Sequence, residues 1–408
     1  MNSVFLIVFI AMVLVVILLR FHIPIGFSII SGGLLIWVVE SMDFKVLWDS
    51  LLETAQLGRT WDLFLCLYFV MCLEVELRKS DSLKGLVTTL RNIFSSNKVT
   101  LAVMPAFLGL LPSMGGARFS CPIVAEASKG IALNSEQKSA INLWFRHITE
   151  FCNPLNPGMI VGCSIAGISI GMLIKTIGWL AILCFILGWI FLIAPLKITD
   201  PALATNPTKN HEIDWKSLIL GFGPIIVVFV LVVNFHVSAP VALGIGVVGF
   251  LPIYYALKRP VPILQVFTEN FDIKLFVNIF LILYFIQILT NTGTLKEIVD
   301  GVNAANLSGP VLFAVLAFIF GLITGMTQGI LAIVIPLVAV MDPGNVVPVG
   351  IVMAFGMAGQ MITPTHLCIV LTVDYFKSNF WVTVGKMAVL VVLMLIIFST
   401  WTYFRYYS

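Results

Sequence analysis

Residues 110–118 read Leu-Leu-Pro-Ser-Met-Gly-Gly-Ala-Arg, and residues 151–158 read Phe-Cys-Asn-Pro-Leu-Asn-Pro-Gly. Each cluster sets helix-breaking Pro and Gly beside hydroxyl or amide side chains, and each lies inside apolar sequence. At membrane depth a broken backbone is tolerated only where the freed N–H and C=O groups are buried in protein or line a wet cavity. The stretch 110–158 is therefore read as a place where something polar is bound.

The rest of the chain supplies the membrane. Of 408 residues 60% are hydrophobic and only 11% charged, with a mean hydropathy of +1.06. Soluble domains carry about 25% charged residues. Repeated apolar runs of roughly 17 to 25 residues thus predict an all-α polytopic membrane protein. A transmembrane barrel would show alternating segments of about ten residues, which are absent. Seven cysteines at irregular spacing, without a CxxC pair, argue against a disulfide framework and a zinc site. The first apolar run, 4–19, has neither a basic leader nor a small-residue cleavage site and reads as the first span.

In order, spans are expected at 4–19, 23–39 and 61–77, with a polar connection at 40–59 and an interfacial amphipathic segment at 78–94. Two half-length runs in 99–127 flank the Pro112–Gly116 break and predict a re-entrant hairpin. A discontinuous span over 139–172, broken at 153–157, and a span at 177–196 complete the first unit. The polar linker 197–216 separates residues 1–196 from 217–408. The second unit has spans at 217–234, 237–257 and 274–290, a short segment at 295–302, and half-helices at 309–323 and 329–340 around Thr-Gly-Met-Thr-Gln (324–328). A broken span over 346–375, with Thr-Pro-Thr-His at 363–366, and a last helix at 380–403 follow.

The order of elements is the same in both units. Leu83 and Leu295, like Met114 and Met326, stand 212 positions apart, and Pro154 and Pro364 stand 210 apart. Two repeats are expected, each with five transmembrane helices, a re-entrant hairpin and one broken helix. The odd number of crossings inverts the second relative to the first. With the amino terminus outside, Arg78, Lys79, Lys129, Lys197, Arg259 and most other basic residues fall inside. Only Lys45, Arg59, Lys175, Lys296 and Arg405 fall clearly outside. The positive-inside rule then predicts a multi-pass protein of the inner membrane with both termini external and the 197–216 linker cytoplasmic.

Inverted repeats with discontinuous helices place a transporter's site near the midplane, where the breaks meet. The candidate solute-binding set is Ser113, Gly115, Gly116, Arg118, Asn153 and Asn156 from the first unit. The second contributes Thr324, Thr327, Gln328, Thr363, Thr365 and His366. Hydroxyls, amides and freed carbonyls suit an alkali cation, which assigns Ser113, Gly116, Asn153, Thr324, Thr327 and Thr363 to a coupling ion; exposed helix N-termini favour an anion. Arg118 either serves a ligand bidentately or pairs with Glu126, Glu150 or a carbonyl. Arg146, His147 and Glu150 are proton-bearing or structural: Arg146 and Glu150 have the spacing of an i,i+4 pair. His147 and Glu150 have an i,i+3 metal spacing, but the partner motif of a di-metal bundle is missing and no metal is expected. Four kinks in packed helices are the bland reading of the breaks.

Leu-Leu-Pro-Ser-Met-Gly-Gly-Ala-Arg-Phe-Ser (110–120), Trp-Phe-Arg-His-Ile-Thr-Glu (144–150), Pro-Leu-Asn-Pro-Gly (154–158) and Thr-His-Leu-Cys-Ile-Val-Leu-Thr (365–372) resemble a prokaryotic integral membrane family of unassigned function. That family is grouped with the ion transporter superfamily, alongside divalent-anion/sodium symporters, gluconate and citrate permeases, arsenite permeases and some sodium/proton antiporters. The resemblance implies an elevator mechanism, with hairpins and broken helices moving against a dimeric scaffold. In the symporters Ser-Asn-Thr triplets bind sodium and carboxylate; here Ser113-Met-Gly and Thr363-Pro-Thr stand in those regions without the triplets.

The expectation is a secondary active transporter of a small organic anion, coupled to sodium or protons, acting as a homodimer. No cofactor beyond a sodium ion and no nucleic-acid partner is expected. A cation/proton antiporter or inorganic-anion exporter of the same fold is the nearest alternative. An intramembrane enzyme using Arg146, His147, Glu150 and His366 is a distant one, because no nucleophile motif accompanies them.

Overall fold

The apolar runs form helices. The computed structural model describes residues 2–21, 23–94, 96–110, 117–200, 213–269, 271–304 and 308–408. The first helices are α1 (Asn2–Arg20), α2 (Ile25–Glu40), α3 (Phe44–Gln56), α4 (Gly58–Lys79), α5 (Ser82–Ile93), α6 (Asn97–Leu110) and α7 (Ala117–Ala127). Next come α8 (Ser135–His147), continued by a 3₁₀ turn (Ile148–Phe151), then α9 (Pro157–Ala166), α10 (Ile170–Ile177) and α11 (Trp179–Gly188), which ends in a π-helical turn (Trp189–Ile193). The remainder comprises α12 (Trp215–Val233), α13 (Ala239–Ala256), α14 (Ile263–Thr268), α15 (Ile273–Asn291) and α16 (Thr294–Ala304). It closes with α17 (Gly309–Thr324), α18 (Thr327–Met341), α19 (Val346–Gln360), α20 (Leu367–Phe376) and α21 (Phe380–Tyr406). Among the described residues there is no strand; Ile131 and Ile198 form an isolated antiparallel bridge.

Among the described residues four helices, or five if a bent pair counts as one span, are long and apolar enough to cross a membrane. Among the described residues eight apolar helices are shorter, and of these α6, α17, α18, α19 and α20 lie where the hairpins and broken spans are expected. The succession of a long helix, a short amphipathic one, two hairpin arms, a broken pair and a closing helix occurs over α4–α11 and again over α15–α21.

Two segments depart from the expected pattern. The connection 40–59 contains α3: Asp43 Oδ1 accepts from the Lys45 N–H at 2.8 Å, and Ser50 and Thr54 are buried on one face. The first broken span does not run on to 172. Gly167 takes φ +68°, Ser169 Oγ accepts from the Met172 N–H and starts α10, and α10 leaves α9 at 110°. An αL glycine ends a helix because it meets no Cβ penalty there. The central part of the linker, 201–212, lies outside the described residues.

Small residues bring the hairpin arms against the broken helices. A Cβ on Gly109 in α6 would lie 2.0 Å from the Arg146 carbonyl oxygen in α8, and one on Gly321 in α17 would lie 2.3 Å from the Gly356 oxygen in α19. Only glycine permits that backbone approach, as in close helix crossings of membrane proteins generally. Gly109 and Gly321 are 212 positions apart, and Arg146 and Gly356 are 210 apart, so the two contacts correspond.

Candidate functional site

Both broken spans stop for identifiable reasons. Helix α8 begins with a capping box made by Asn134 and Gln137, tightens into the 3₁₀ turn and ends at Cys152. Asn153 then accepts from the Leu155 N–H at 3.0 Å and donates from Nδ2 to Leu110 O, the last carbonyl of α6, at 3.1 Å. Asn156 Oδ1 accepts from the Gly158 N–H at 2.7 Å and the Met159 N–H at 3.3 Å, and so caps α9 with Pro157 at its first position. In the second span Thr363 Oγ1 donates to Leu322 O near the end of α17 at 2.6 Å, and the Thr365 hydroxyl lies 3.0 Å from Thr363 Oγ1. Asn153 on Leu110 and Thr363 on Leu322 are again corresponding contacts. Thr324 Oγ1 donates back to Phe320 O at 2.8 Å. These amides and hydroxyls satisfy the orphaned backbone of the breaks, while oxygen lone pairs remain on the hydroxyls.

A second group of polar side chains meets at the start of α18. Thr327, at the start of α18, lies 2.8 Å from Glu150 Oε2 and 2.9 Å from Gln360 Oε1 through its hydroxyl. Glu150 and Gln360 are 210 positions apart and close the first arms of the two broken spans. A hydroxyl has one proton, so Thr327 donates to one partner, and the Gln360 amide, turned over, donates to the hydroxyl in return. Gln328 is half-buried beside it. One threonine thus joins the second hairpin to both broken helices.

His147 and His366 face each other across the same junction. Their rings lie 4.8 Å apart between centroids at 65°, and the two Nε2 atoms are 2.9 Å apart. His147 Nδ1 bonds to Leu143 O at 2.7 Å and His366 Nδ1 to Gly325 O at 2.6 Å. Gly325 reaches His366 because it takes φ +61° without a side chain; a Cβ there would lie 2.6 Å from the Thr365 carbonyl carbon. Cys368, half-buried in the first turn of α20, brings its sulfur within 4.8 Å of a ring nitrogen of each histidine.

Arg146 and Glu150 do not form the i,i+4 pair their spacing allows. The change to 3₁₀ geometry at Ile148 eclipses residue 150 with residue 147, so Glu150 Oε1 stands 3.8 Å from His147 Nε2. Arg146 stays buried, and its Nη1 has no hydrogen-bond partner among the described residues.

A polar seam leads to this point between α8 and α20. Ser139, Asn142 and Arg146 recur on one face of α8. Ser139 Oγ is 2.8 Å from Ser378 Oγ, and Asn142 Nδ2 donates to Thr372 Oγ1 at 3.1 Å and to Cys121 Sγ at 3.3 Å. At the exposed end Glu136 Oε1 accepts from the Asn379 N–H at 3.1 Å. Sequence reasoning missed Ser139, Asn142, Gln360, Cys368 and Thr372. The helical spacing of Ser139, Asn142 and Arg146 was the available signal. Ser113, Gly115, Gly116 and the Arg118 side chain lie outside the described residues.

The fold has a solved counterpart. The structure of the Alcanivorax borkumensis YdaH transporter, which has an unusual topology, is similar over 89% of this chain and 88% of that one, with a TM-score of 0.55 and 15% sequence identity. At that identity the likeness is one of fold, and together with the apolar helices it identifies a multi-pass membrane protein. No curated protein matches the sequence. The family model described as "Protein of unknown function (DUF401)" matches residues 1–403, and the chain belongs to that family.

Proposed function

We propose that this protein is a secondary active transporter of a small organic anion, a carboxylate, coupled to sodium or protons. It works by an elevator movement of the hairpins and broken helices within two inverted repeats, as a homodimer in the inner membrane, in the manner of the ion transporter superfamily. The observation that carries the reading is the Thr327 junction: three discontinuous elements meet at one buried hydroxyl in an otherwise apolar chain. Corresponding contacts, Gly109 with Arg146 and Gly321 with Gly356, and Asn153 with Leu110 and Thr363 with Leu322, support the repeats. The fold likeness to a transporter supports carriage over catalysis.

The anion has a counter-charge in Arg146, whose buried Nη1 has no hydrogen-bond partner among the described residues. A guanidinium with spare donors suits a carboxylate, and the amino ends of α9, α18 and α20 add favourable dipoles nearby. Ser113, Gly116, Asn153, Thr324, Thr327 and Thr363 remain the proposed coupling-ion set. Proteoliposomes should accumulate at least one of a panel of mono- and dicarboxylates when a sodium or proton gradient is imposed. Thr327→Val should cut that uptake by about tenfold or more, the cost of a lost buried hydrogen bond of about 1.5 kcal/mol. Gradient-independent equilibration, or no uptake of any carboxylate, would overturn the reading.

A further inference from the structure

The two facing histidines impose a condition on what lies between them. Each Nδ1 bonds to a backbone carbonyl, Leu143 O for His147 and Gly325 O for His366. A carbonyl oxygen only accepts, so Nδ1 carries the hydrogen in both rings. The two Nε2 atoms then turn lone pairs toward each other across 2.9 Å. Two neutral imidazoles repel in that arrangement, and an electrophile between them removes the repulsion. A proton shared by the nitrogens would serve, but it gives no role to the third group present. Cys368 Sγ lies within 4.8 Å of a ring nitrogen of each histidine, and Glu150 Oε1 is 3.8 Å from Nε2 of His147.

We propose that His147 Nε2, His366 Nε2 and Cys368 Sγ bind a transition-metal ion of the zinc class, with Glu150 Oε1 or a water molecule in the fourth position. Two imidazoles, one thiolate and one oxygen donor suit zinc, and with bonds of about 2.0–2.3 Å a tetrahedral set places its ligand atoms roughly 3.3–3.6 Å apart. The nitrogens must open by less than an ångström and the sulfur close by about one, within the reach of a small χ adjustment at half-buried Cys368. The outer shell is already built: metal-ligating histidines characteristically donate the remote ring N–H to a carbonyl or carboxylate, and both do so here. The polar seam from Glu136 past Ser139 and Asn142 offers a route inward. The ion would tie α8 to the head of α20, positions 219 apart in sequence. This goes beyond the transport reading and does not depend on it.

The test uses purified full-length protein in detergent, with no gradient, so its result is separate from any uptake assay. After chelation and dialysis the protein is titrated with Co²⁺ as the probe. The expected result is saturable binding with the visible bands of tetrahedral cobalt and a near-ultraviolet thiolate-to-cobalt charge-transfer band, both discharged by Zn²⁺. Cys368→Ser should lose the charge-transfer band and keep weak binding. His366→Asn should weaken binding by at least the roughly 10- to 100-fold that follows loss of an outer-shell partner. Should His366→Asn fail to fold, Cys368→Ser still decides the matter. Absence of saturable cobalt binding, or a charge-transfer band that survives in Cys368→Ser, would overturn the proposal.

Discussion

Two glycines with nearly the same backbone separate strain from contact. Gly167 at φ +68° faces open space, whereas Gly325 at φ +61° would place a Cβ 2.6 Å from the Thr365 carbonyl carbon. Gly167→Ala should cost only the left-handed penalty, about 1–2 kcal/mol. Gly325→Ala should cost that and also push the Gly325 carbonyl off His366, for a total of about 2–4 kcal/mol. Thermal unfolding of both variants in one detergent checks the difference; equal losses would remove the argument for a tight Gly325 contact. Glu76 is a second exception, fully buried in α4 with neither carboxylate oxygen hydrogen-bonded among the described residues. Leaving such a group unpaired costs about 1–3 kcal/mol, so Glu76→Leu should raise the unfolding temperature. At this scale the sequence revealed the residue types and little of the pairing. Arg146, His147, Glu150 and His366 stood out as polar residues beside breaks, but the His147–His366 contact spans 219 positions and no local spacing announces it. The expected Arg146–Glu150 pair failed because periodicity cannot foresee a switch from α to 3₁₀ at Ile148.

Elements were legible where breakers and caps are strong. The Gly325 turn, the Asn156–Pro157 start and the Asn153 break mark their boundaries with groups that act locally. The connection 40–59 was misread because polar composition concealed the amphipathic α3, whose buried face is formed by Ser50 and Thr54. The α17–α19 crossing rests on Gly321 and Gly359, where an added Cβ would come within 2.3 Å of the Gly356 oxygen and 2.2 Å of the Phe318 oxygen. Backbone cannot give way as a side chain can. Gly321→Val should therefore destabilise by about 3 kcal/mol or more, while Gly385→Val, which meets nothing within 4 Å, should change stability little. Melting curves of the two variants test this. At the start of α12 Asp214 accepts from the Ser217 N–H and hydroxyl and pairs with Arg259 at 2.5 Å. Partial burial raises its pKa, but the Ser217 hydrogen bonds and the Arg259 charge outweigh that and hold it below the usual carboxylate range. The folded value lies under the unfolded one of about 3.9, so this stabilisation is full above that pH and is lost as pH falls through the folded value. Asp214→Asn should lower stability at neutral pH by about 0.5–2 kcal/mol and flatten the acid limb of a Tm-against-pH curve. An unchanged acid limb would show that Asp214 carries none of it.

For the whole molecule, hydropathy decided the all-α membrane class, and repeated element order underlies the proposed two-repeat architecture. Neither could show which side chains distant in sequence come together, because such contacts leave no periodic trace. The proposed orientation in the membrane rests on charge. Arg78 and Lys79 close α4, Lys129 and Lys197 flank the Ile131–Ile198 bridge, and Arg259 pairs with Asp214 ahead of α12. All belong to the side that the positive-inside rule makes cytoplasmic, whereas the carboxyl end of α21 carries only Arg405 in its last turn. In the proposed topology an odd number of crossings in each half sends both termini outward, with the first hairpin entering from the cytoplasm and the second from outside. A fluorescent reporter that matures only in the cytoplasm should stay dark when fused after Ser408. One that requires the oxidising exterior should be active there. The same pair inserted after Asp200 should give the opposite result. A bright cytoplasmic reporter at the carboxyl terminus would reverse the orientation. It would also turn the polar seam that begins at Glu136 from the cytoplasmic to the external face, and with it the side from which His147 and His366 are reached.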